Sequence, residues 1–349
     1  MKYNKLISII IPIRNEVDTI SKTIDSIINQ TYPITKIEIL ISDGMSNDGT
    51  RGILMKYQKK HSFIKIIDNP ESIVPTGFNR ALSMASGQII IRIDGHAYIE
   101  KDFIEMCIKS YDDTNADCVG GLIKNSADGI IGDAINYAQS SKFGVGNAIF
   151  RQRVEKGRFV DTLAFGAYQR HVFSKIGGYD EELIRNQDDE FNFRLLQNGG
   201  KIWLDPSIKS TYYPRNSIIN LFKQYLYYGF YKVRVMQKRR GFASWRHLVP
   251  SSFILSLLLA SLFYFLWSII WPLFLIIFSY TLLNFVSTLF SLTSKPKKLI
   301  NILVLPLIYF CMHIAYGFGF LSGIFYFIRR WNDSLLIDHY FDRENFEKM

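Results

Sequence analysis

The sequence is short of cysteine: Cys107, Cys118 and Cys311 stand far apart in 349 residues, with no Cys-x-x-Cys spacing. That speaks against a disulfide framework or a zinc site and leaves three core or lipid-facing thiols. Neither a Walker A sequence nor a Gly-x-Gly-x-x-Gly fingerprint occurs at the first strand turn, so a P-loop ATPase and a nicotinamide enzyme both fit poorly. Charge is missing over a long stretch. From Leu248 to Ser294, 47 residues include no Asp, Glu, Lys, Arg or His, and the 30 from Leu299 to Ile328 include only His313. A bilayer-crossing helix needs ~20 apolar residues, so the first run has room for two spans and a wholly soluble protein is excluded. Met1-Lys2-Tyr3-Asn4-Lys5 leads into only eight apolar-rich residues before Arg14, too few for a secretory signal. The front of the chain is therefore expected to stay in the cytosol.

With 48% hydrophobic and 21% charged residues, the chain can bury a large core. Most of the charge lies before Arg246. The formal net charge of +10 would suit nucleic acid, but the basic residues flank the apolar runs: Lys238, Arg239, Arg240 and Arg246, then Lys295, Lys297 and Lys298, then Arg329 and Arg330. Anionic lipid headgroups and the positive-inside rule account for them better, and no nucleic-acid partner is expected.

The first 100 residues alternate β-branched runs with helix-like segments, the pattern of a parallel sheet covered by helices. Leu6–Ile13, Ile37–Ser42, Ile64–Asp68 and Gln88–Ile93 read as strands, and Ile20, Ile24, Ile27 and Ile28 recur at helical spacing before Pro33. Ligands of such sheets bind at the carboxyl ends of the strands. Three of these ends carry polar sequences, at 12–16, 43–50 and 94–96, which places them on one rim. From about Asp112 to Phe165 the pattern weakens into an irregular insertion. Asp188–Gln197 reads as a helix that opens on acidic residues, as its dipole favours, and Lys201–Leu204 as a short strand.

Ser217–Arg240 sets Ile218, Leu221, Phe222, Tyr225, Tyr228 and Tyr231 on one side and Lys223, Lys232, Arg234 and Lys238 elsewhere. That suits a helix lying in the membrane interface with snorkelling cations; a surface helix packed on its own domain is the plainer reading. Topology leaves a conflict. A cytosolic front, two spans and a basic 295–298 turn satisfy the positive-inside rule, but a third span would send Arg329 and Arg330 outside. Either the rule is broken once, or Leu299–Ile328 dips in and returns, helped by Pro306, Gly317, Gly319 and Gly323.

Asp94-Gly95-His96 ends an apolar strand, which holds two side chains rigidly enough to share a divalent cation that also grips a diphosphate; carboxylate and imidazole favour manganese or magnesium. Asp94 as a turn cap beside an incidental His96 is the plain alternative. Asp188, Asp189 and Glu190 crowd three carboxylates, so that repulsion with partial burial would raise one proton affinity; an acidic helix start is again the plain alternative.

Together, Ile9-Ile10-Ile11-Pro12-Ile13-Arg14-Asn15-Glu16, Ser42-Asp43-Gly44-Met45-Ser46-Asn47-Asp48-Gly49-Thr50, Asp94-Gly95-His96 and Asp188-Asp189 with Arg194 resemble a family 2 glycosyltransferase over roughly residues 6 to 205. The Asp-x-His triplet, the 186–189 stretch and the hydrophobic tail look most similar to the succinoglycan-type enzymes of bacterial exopolysaccharide assembly. The resemblance implies a GT-A fold, α/β with a Rossmann-like mixed sheet and helices on both faces, followed by C-terminal transmembrane helices. It implies that Pro12, Arg14 and Glu16 lie along a nucleotide-sugar and that Asp43 accepts from its base or ribose. Asp94 and His96 would hold the divalent cation, His96 standing where the family has a second carboxylate. Asp189 would be the general base, with Asp188 in place of the family's glutamate, and Arg194 would face the same site. Asn79 or Arg80 would reach the nucleotide-sugar, unless the segment 77–82 only caps its helix. Gly166-Ala167-Tyr168 would border the acceptor, and Tyr213-Pro214-Arg215 is a surface loop or a phosphate contact. His171, His247, His313 and His339 read as structural.

Processive synthases of this superfamily carry Gln-x-x-Arg-Trp near their first spans, whereas Gln224-Tyr225-Leu226-Tyr227-Tyr228 lacks the Arg-Trp. The expectation is therefore an inverting, metal-dependent transferase that moves one sugar from a nucleotide-diphosphate donor, UDP-linked, to a polyprenyl-linked acceptor. A processive synthase and a catalytically silent nucleotide-sugar-binding scaffold are the alternatives. The expected layout is a GT-A domain over 1–215, an interfacial helix and basic linker over 216–247, a membrane region over 248–328 and a polar tail over 329–349. The expected setting is the bacterial plasma membrane, multi-pass, with the catalytic domain cytosolic beside other glycan-assembly enzymes.

Overall fold

The computed structural model describes residues 4–127, 129–146, 148–152, 154–213, 217–241, 245–293, 300–331 and 333. These fall into two compact units, one drawn from Met1–Lys124 and Ile149–Tyr213, the other from Asn125–Ala148 and Pro214–Leu335. Lys295, Lys297, Lys298, Pro214, Arg215 and His339, with most of the expected tail, lie outside the described residues.

The first unit is a nine-stranded sheet. Its parallel part is β1 (Ile7–Ile13), β2 (Ile37–Asp43), β3 (Ile64–Asp68) and β4 (Ile89–Arg92), ordered β3-β2-β1-β4. The sheet continues through β5 (Ala97–Ile99), β6 (Cys118–Asn125), β7 (Arg158–Phe159), β8 (Ala167–Gln169) and β9 (Ile202–Tyr212), with β8 antiparallel to both β4 and β6. Every residue of β1 and β2 is buried, as a sheet covered on both faces requires.

Alternation along these strands sorts the isoleucines into two cores. Ile7, Ile9, Ile11, Ile39, Ile41 and Ile91 pack with α1 (Ile20–Ile28), α2 (Thr50–Lys60) and α4 (Phe103–Thr114) on one face. Ile10, Leu40 and Ile90 pack with α3 (Val74–Leu82), α7 (Arg170–Ile176) and α8 (Gln187–Gln197) on the other. Each such side chain contributes ~1.5–3 kcal/mol by leaving water, so the hydrophobic pattern fixes register as well as stability. Ile13 and Asp68 both pair at Asp43, which brings three strand ends to one level.

Two expectations differ from the structure here. The segment from Asp112 to Phe165 is not irregular throughout: it contains β6, α5 (Gly129–Gln139), α6 (Lys142–Val145) and β7, and β6 follows Asn115 in the left-handed region that ends α4. The strand expected over 201–204 runs on to Tyr212. Pro206 lies between the residues that pair with β7 and those that pair with β5, so it does not end the strand.

The second unit is built on α9 (Ile218–Arg239), α10 (Val249–Trp267), α11 (Trp271–Thr293) and α12 (Asn301–Tyr326). Three helices, Trp245–Trp267, Trp271–Thr293 and Asn301–Tyr326, are long and apolar enough to cross a membrane. The re-entrant alternative for the last is not what folds: α12 is one helix of 26 residues with Pro306 inside it. Its glycines serve close packing instead. A Cβ on Gly319 would stand 2.0 Å from the Leu226 carbonyl oxygen and one on Gly323 2.6 Å from that of Phe230, both on α9, while one on Gly317 would meet Pro250 of α10 at 2.5 Å. Gly229 of α9 answers from the other side, against the Tyr316 carbonyl. Small residues that let helix backbones touch are how apolar helices associate without a hydrophobic drive.

The cations of α9 do not snorkel as expected. Lys232, Arg234 and Lys238 are buried, and Arg234 donates to the Gln237 Oε1 at 3.2 Å, the Arg330 carbonyl at 3.1 Å and Asp333 at 2.8 Å. The carbonyls after the end of α12 draw Arg234, as a helix C-terminus attracts cations. His313, expected to be structural, donates Nε2–H to the Phe143 carbonyl and meets the Tyr280 hydroxyl through Nδ1 within the same unit.

Replacing Gly319 by valine forces α9 away from α12. The expected cost is about 1–3 kcal/mol, read as a lowered thermal unfolding midpoint of the full chain in detergent; an unchanged midpoint would refute the packing role.

Candidate active site at the strand ends

The rim begins with two loops stitched together. Asn15, at φ 56°, donates its backbone N–H to the Ser46 hydroxyl at 2.9 Å, and its side-chain oxygen accepts from Asn47 N–H at 3.0 Å. Thr50 accepts from Glu16 N–H and Asp48 from Val17 N–H. The conformation after β1 is therefore dictated by the loop after β2. Asp43 is buried and engaged: Oδ1 accepts from Ser46 N–H and Oγ, and Oδ2 takes Arg51 at 3.2 Å. Pro12 is buried within β1, paired with Ser42, whereas Arg14 is exposed where the strand ends.

After β4, Gly95 is needed for a close approach, because a Cβ there would come within 2.6 Å of Ile13 Cγ2. The Gly95 carbonyl accepts from Thr23. His96 Nδ1 lies 2.9 Å from Glu16 Oε1, and its ring meets Tyr212 edge-on at 4.7 Å. A Nδ1–H donated to this carboxylate leaves Nε2 as the lone-pair nitrogen, the tautomer a metal-ligating histidine has.

The residue that joins the rim to α8 is one the motifs did not single out. Arg92, the last residue of β4, is 9% exposed. Its guanidinium donates to Asp94 Oδ1 at 2.8 Å, lies 3.6 Å from Asp188 Oδ2 and sits over the Tyr179 ring at 5.8 Å. Burial by itself would lower its proton affinity, but the surrounding charge, Asp94 foremost, holds it well above the ordinary arginine value. The signal for it was present in the sequence: one cation in an otherwise apolar strand.

The three crowded carboxylates of α8 are separated by two arginines. Asp188 faces Arg92. Glu190, fully buried, is gripped at both oxygens by Arg194 at 3.1 and 3.0 Å. Asp189 stays half-buried in the first turn of the helix.

Two expected ligand contacts are spent elsewhere. Arg194 does not face the site: it is 3% exposed, held by Glu190 and donating to the carbonyls of Ile176 and Gly178. Asn79 is 1% exposed and clamps the turn before α8, donating to the Tyr179 carbonyl and Glu181 and accepting from Tyr179 N–H. Both act through the loop they fix. Arg80 pairs with Glu71 at 2.6 Å. Tyr168 is buried with its hydroxyl on Asn192, a core position rather than a border of the acceptor.

Among the described residues, no three His, Cys, Asp or Glu side chains are grouped closely enough to hold a metal ion by themselves. The pair Asp94 and His96 does fit a cation that takes its other ligands from a diphosphate. Asp94 Oδ2 has no hydrogen-bond partner among the described residues, and the Glu16 contact sets the imidazole tautomer.

Comparison with known proteins bears on the family and the fold. The family model described as Glycosyl transferase family 2 matches residues 8–177. The dolichyl N-acetyl-alpha-D-glucosaminyl phosphate 3-beta-D-2,3-diacetamido-2,3-dideoxy-beta-D-glucuronosyltransferase of Methanococcus voltae is 31% identical over 326 residues, covering 91% of this chain and 97% of that protein. The succinoglycan biosynthesis protein ExoA of Rhizobium meliloti is 30% identical over 244 residues, 69% of this chain and 73% of its own. Among solved structures, a mannosyltransferase from Pyrobaculum calidifontis in complex with GDP-Man and Mn2+ superposes with a TM-score of 0.59 over 93% of this chain and 88% of its own, at 14% identity. That likeness concerns the fold, and the α/β GT-A class expected from the sequence holds.

Replacing Arg92 by methionine leaves Asp94 and Asp188 facing each other without a cation. Stability at neutral pH is expected to fall by about 3 kcal/mol, with part of the loss recovered when Asp188→Asn is added. Thermal melts of the two single variants and the double variant check this; strictly additive effects would show that Arg92 and Asp188 do not interact.

Proposed function

The chain belongs to glycosyl transferase family 2, and from that premise we propose that it is an inverting transferase moving one sugar from a nucleotide-diphosphate donor, UDP-linked, onto a polyprenyl-linked acceptor at the cytosolic face of a bacterial plasma membrane. The observation that carries the reading is the Asp94–Arg92–Asp188 bridge, which ties the strand-end rim to the helix turn that bears Asp189. The acceptor class is supported by the names of the two relatives, one acting on a dolichyl-linked sugar phosphate and one serving succinoglycan biosynthesis, and by the three apolar helices.

In this reading Asp189 takes the proton from an acceptor hydroxyl while that oxygen attacks the anomeric carbon, and the nucleotide diphosphate leaves from the opposite face. Arg92 holds Asp188 and Asp94 in place. Asp43 and the stitched loops around Asn15 and Ser46 receive the nucleoside, with Arg14 exposed at the same strand end. A divalent cation held by Asp94 and His96 with the diphosphate would neutralise the charge that builds on the leaving group. The tail confines the enzyme to the surface in which a polyprenyl chain is dissolved.

The test is transfer of label from UDP- and GDP-sugars into extracted polyprenyl-linked acceptors, by membranes holding the wild type or Asp189→Asn, with and without EDTA. Asp189→Asn is expected to lower turnover ~10²–10⁴-fold, the range of general-base catalysis, while donor binding persists. EDTA is expected to stop transfer, and the product to be one sugar longer than the acceptor by mass spectrometry. A ladder of products would establish the processive alternative, and equal turnover by the variant would remove Asp189 as base.

A further inference from the structure

Helices α9 and α12 run side by side in the same direction over about 20 residues each. Cys311 Sγ donates to the Ile218 carbonyl, Gly319 and Gly323 abut the carbonyls of Leu226 and Phe230, Gln237 donates to the Phe327 carbonyl at 2.7 Å and Arg234 to that of Arg330 at 3.1 Å. The offset stays near 93 residues from one end to the other, so the two helices share their depth as well as their direction.

That pairing is incompatible with three spans. If α10 and α11 each cross, the chain returns to the side it left, and α12 starts on the side where α9 ended. Because the ends of α9 and α12 are bonded to each other, α12 also ends on that side. It therefore begins and ends on one side and does not cross. A crossing α9 would take its parallel partner across with it, and then only one of α10 and α11 could cross.

Composition says which helix stays out. Basic residues flank α12 at both ends, at 295–298 and at Arg329–Arg330, whereas the link between α10 and α11 is Ser268-Ile269-Ile270 between exposed Trp267 and Trp271, an aromatic girdle without charge. A spanning α12 would also carry the exposed Lys223 to the level of Tyr316, near the bilayer centre, where a charged side chain is costly. We propose that the chain crosses twice, through α10 and α11, and that α9 and α12 lie together along one leaflet as a two-helix raft on an anionic lipid surface. The raft presents the exposed apolar stripe Leu303, Leu307, Phe310, Phe318 and Phe325 of α12 to the acyl chains and collects the exposed Lys223 and Arg240 and the basic residues of both α12 flanks at the headgroups. The conflict with the positive-inside rule disappears, because every basic cluster is on one side. None of this rests on the transferase reading.

The test uses the full-length chain in sealed membrane vesicles, with Cys311→Ala and the buried Cys107 and Cys118 left in place. Ile300→Cys and Arg329→Cys are expected to react with a membrane-impermeant maleimide from the same side, and Ser268→Cys from the opposite side. Labelling of positions 300 and 329 from opposite sides would overturn the proposal. A fluorophore at position 307 or 325, about 27 Å apart along α12, supplies a second readout with lipids brominated at defined depths in vesicles containing phosphatidylglycerol. Equal shallow depths are expected, and depths that differ by most of the hydrocarbon thickness would overturn it.

Discussion

Arg92 closes a strand of isoleucines, and a guanidinium buried there is tolerated only because two carboxylates and a tyrosine face surround it. Desolvating such a group costs several kcal/mol, so the fold must deliver Asp94 and Asp188 to it or expel it. Asp94 arrives by the chain itself, two residues on. Asp188 arrives from a helix nearly 100 residues later, and that helix has to be held from behind. Arg194 does so by gripping Glu190 and the carbonyls of the 176–178 turn, while Asn79 anchors the next turn through Tyr179 and Glu181. The placement of Asp189 thus depends on a chain of buried polar contacts behind the first turn of its helix.

Much of this was legible in sequence and some was not, for one physical reason. Spacing reports which residues share a face, so the strands, α1 and the loaded strand ends at 12–16, 43–50 and 94–96 could be read from β-branched runs and polar ends. Spacing does not report which way a polar side chain turns once the helix is packed. Asn79 and Arg194 stand beside the site in sequence, and both turn inward to brace it. Arg92 was readable in principle, because a lone charge in a parallel-sheet strand must find a partner, but its partner Asp188 is distant in sequence. The 112–165 segment failed differently: its helix α5 packs on α12 residues such as Leu305 and Ile308, so its apolar face belongs to a core that its own neighbourhood does not reveal.

Glycines show the same limit from another side. In an apolar run, Gly317, Gly319 and Gly323 are equally consistent with a bend in the backbone and with a neighbour pressed against it. Only the presence of α9 at 2.0 and 2.6 Å from the would-be side chains of Gly319 and Gly323, and of α10 at 2.4 Å from that of Gly317, decides, and it decides for one continuous helix. The buried cations of α9 follow from the same contact, since a helix drawn this close brings Arg234 and Gln237 within reach of the carbonyls that end α12.

A flat raft and a spanning hairpin divide the labour of membrane attachment. The hairpin of α10 and α11 supplies apolar area, nearly all of it exposed, and so fixes the chain in the bilayer without regard to lipid type. The raft adds a surface whose affinity depends on charge and ionic strength, and it keeps every basic cluster in one leaflet. An acceptor whose carrier chain is dissolved in that leaflet is then met by diffusion in two dimensions rather than three. On the proposed function the front unit then needs no hydrophobic groove for the carrier among its own strand ends, and the polar rim of Arg14, Glu16, Asp43, Asp94 and His96 is left for the donor.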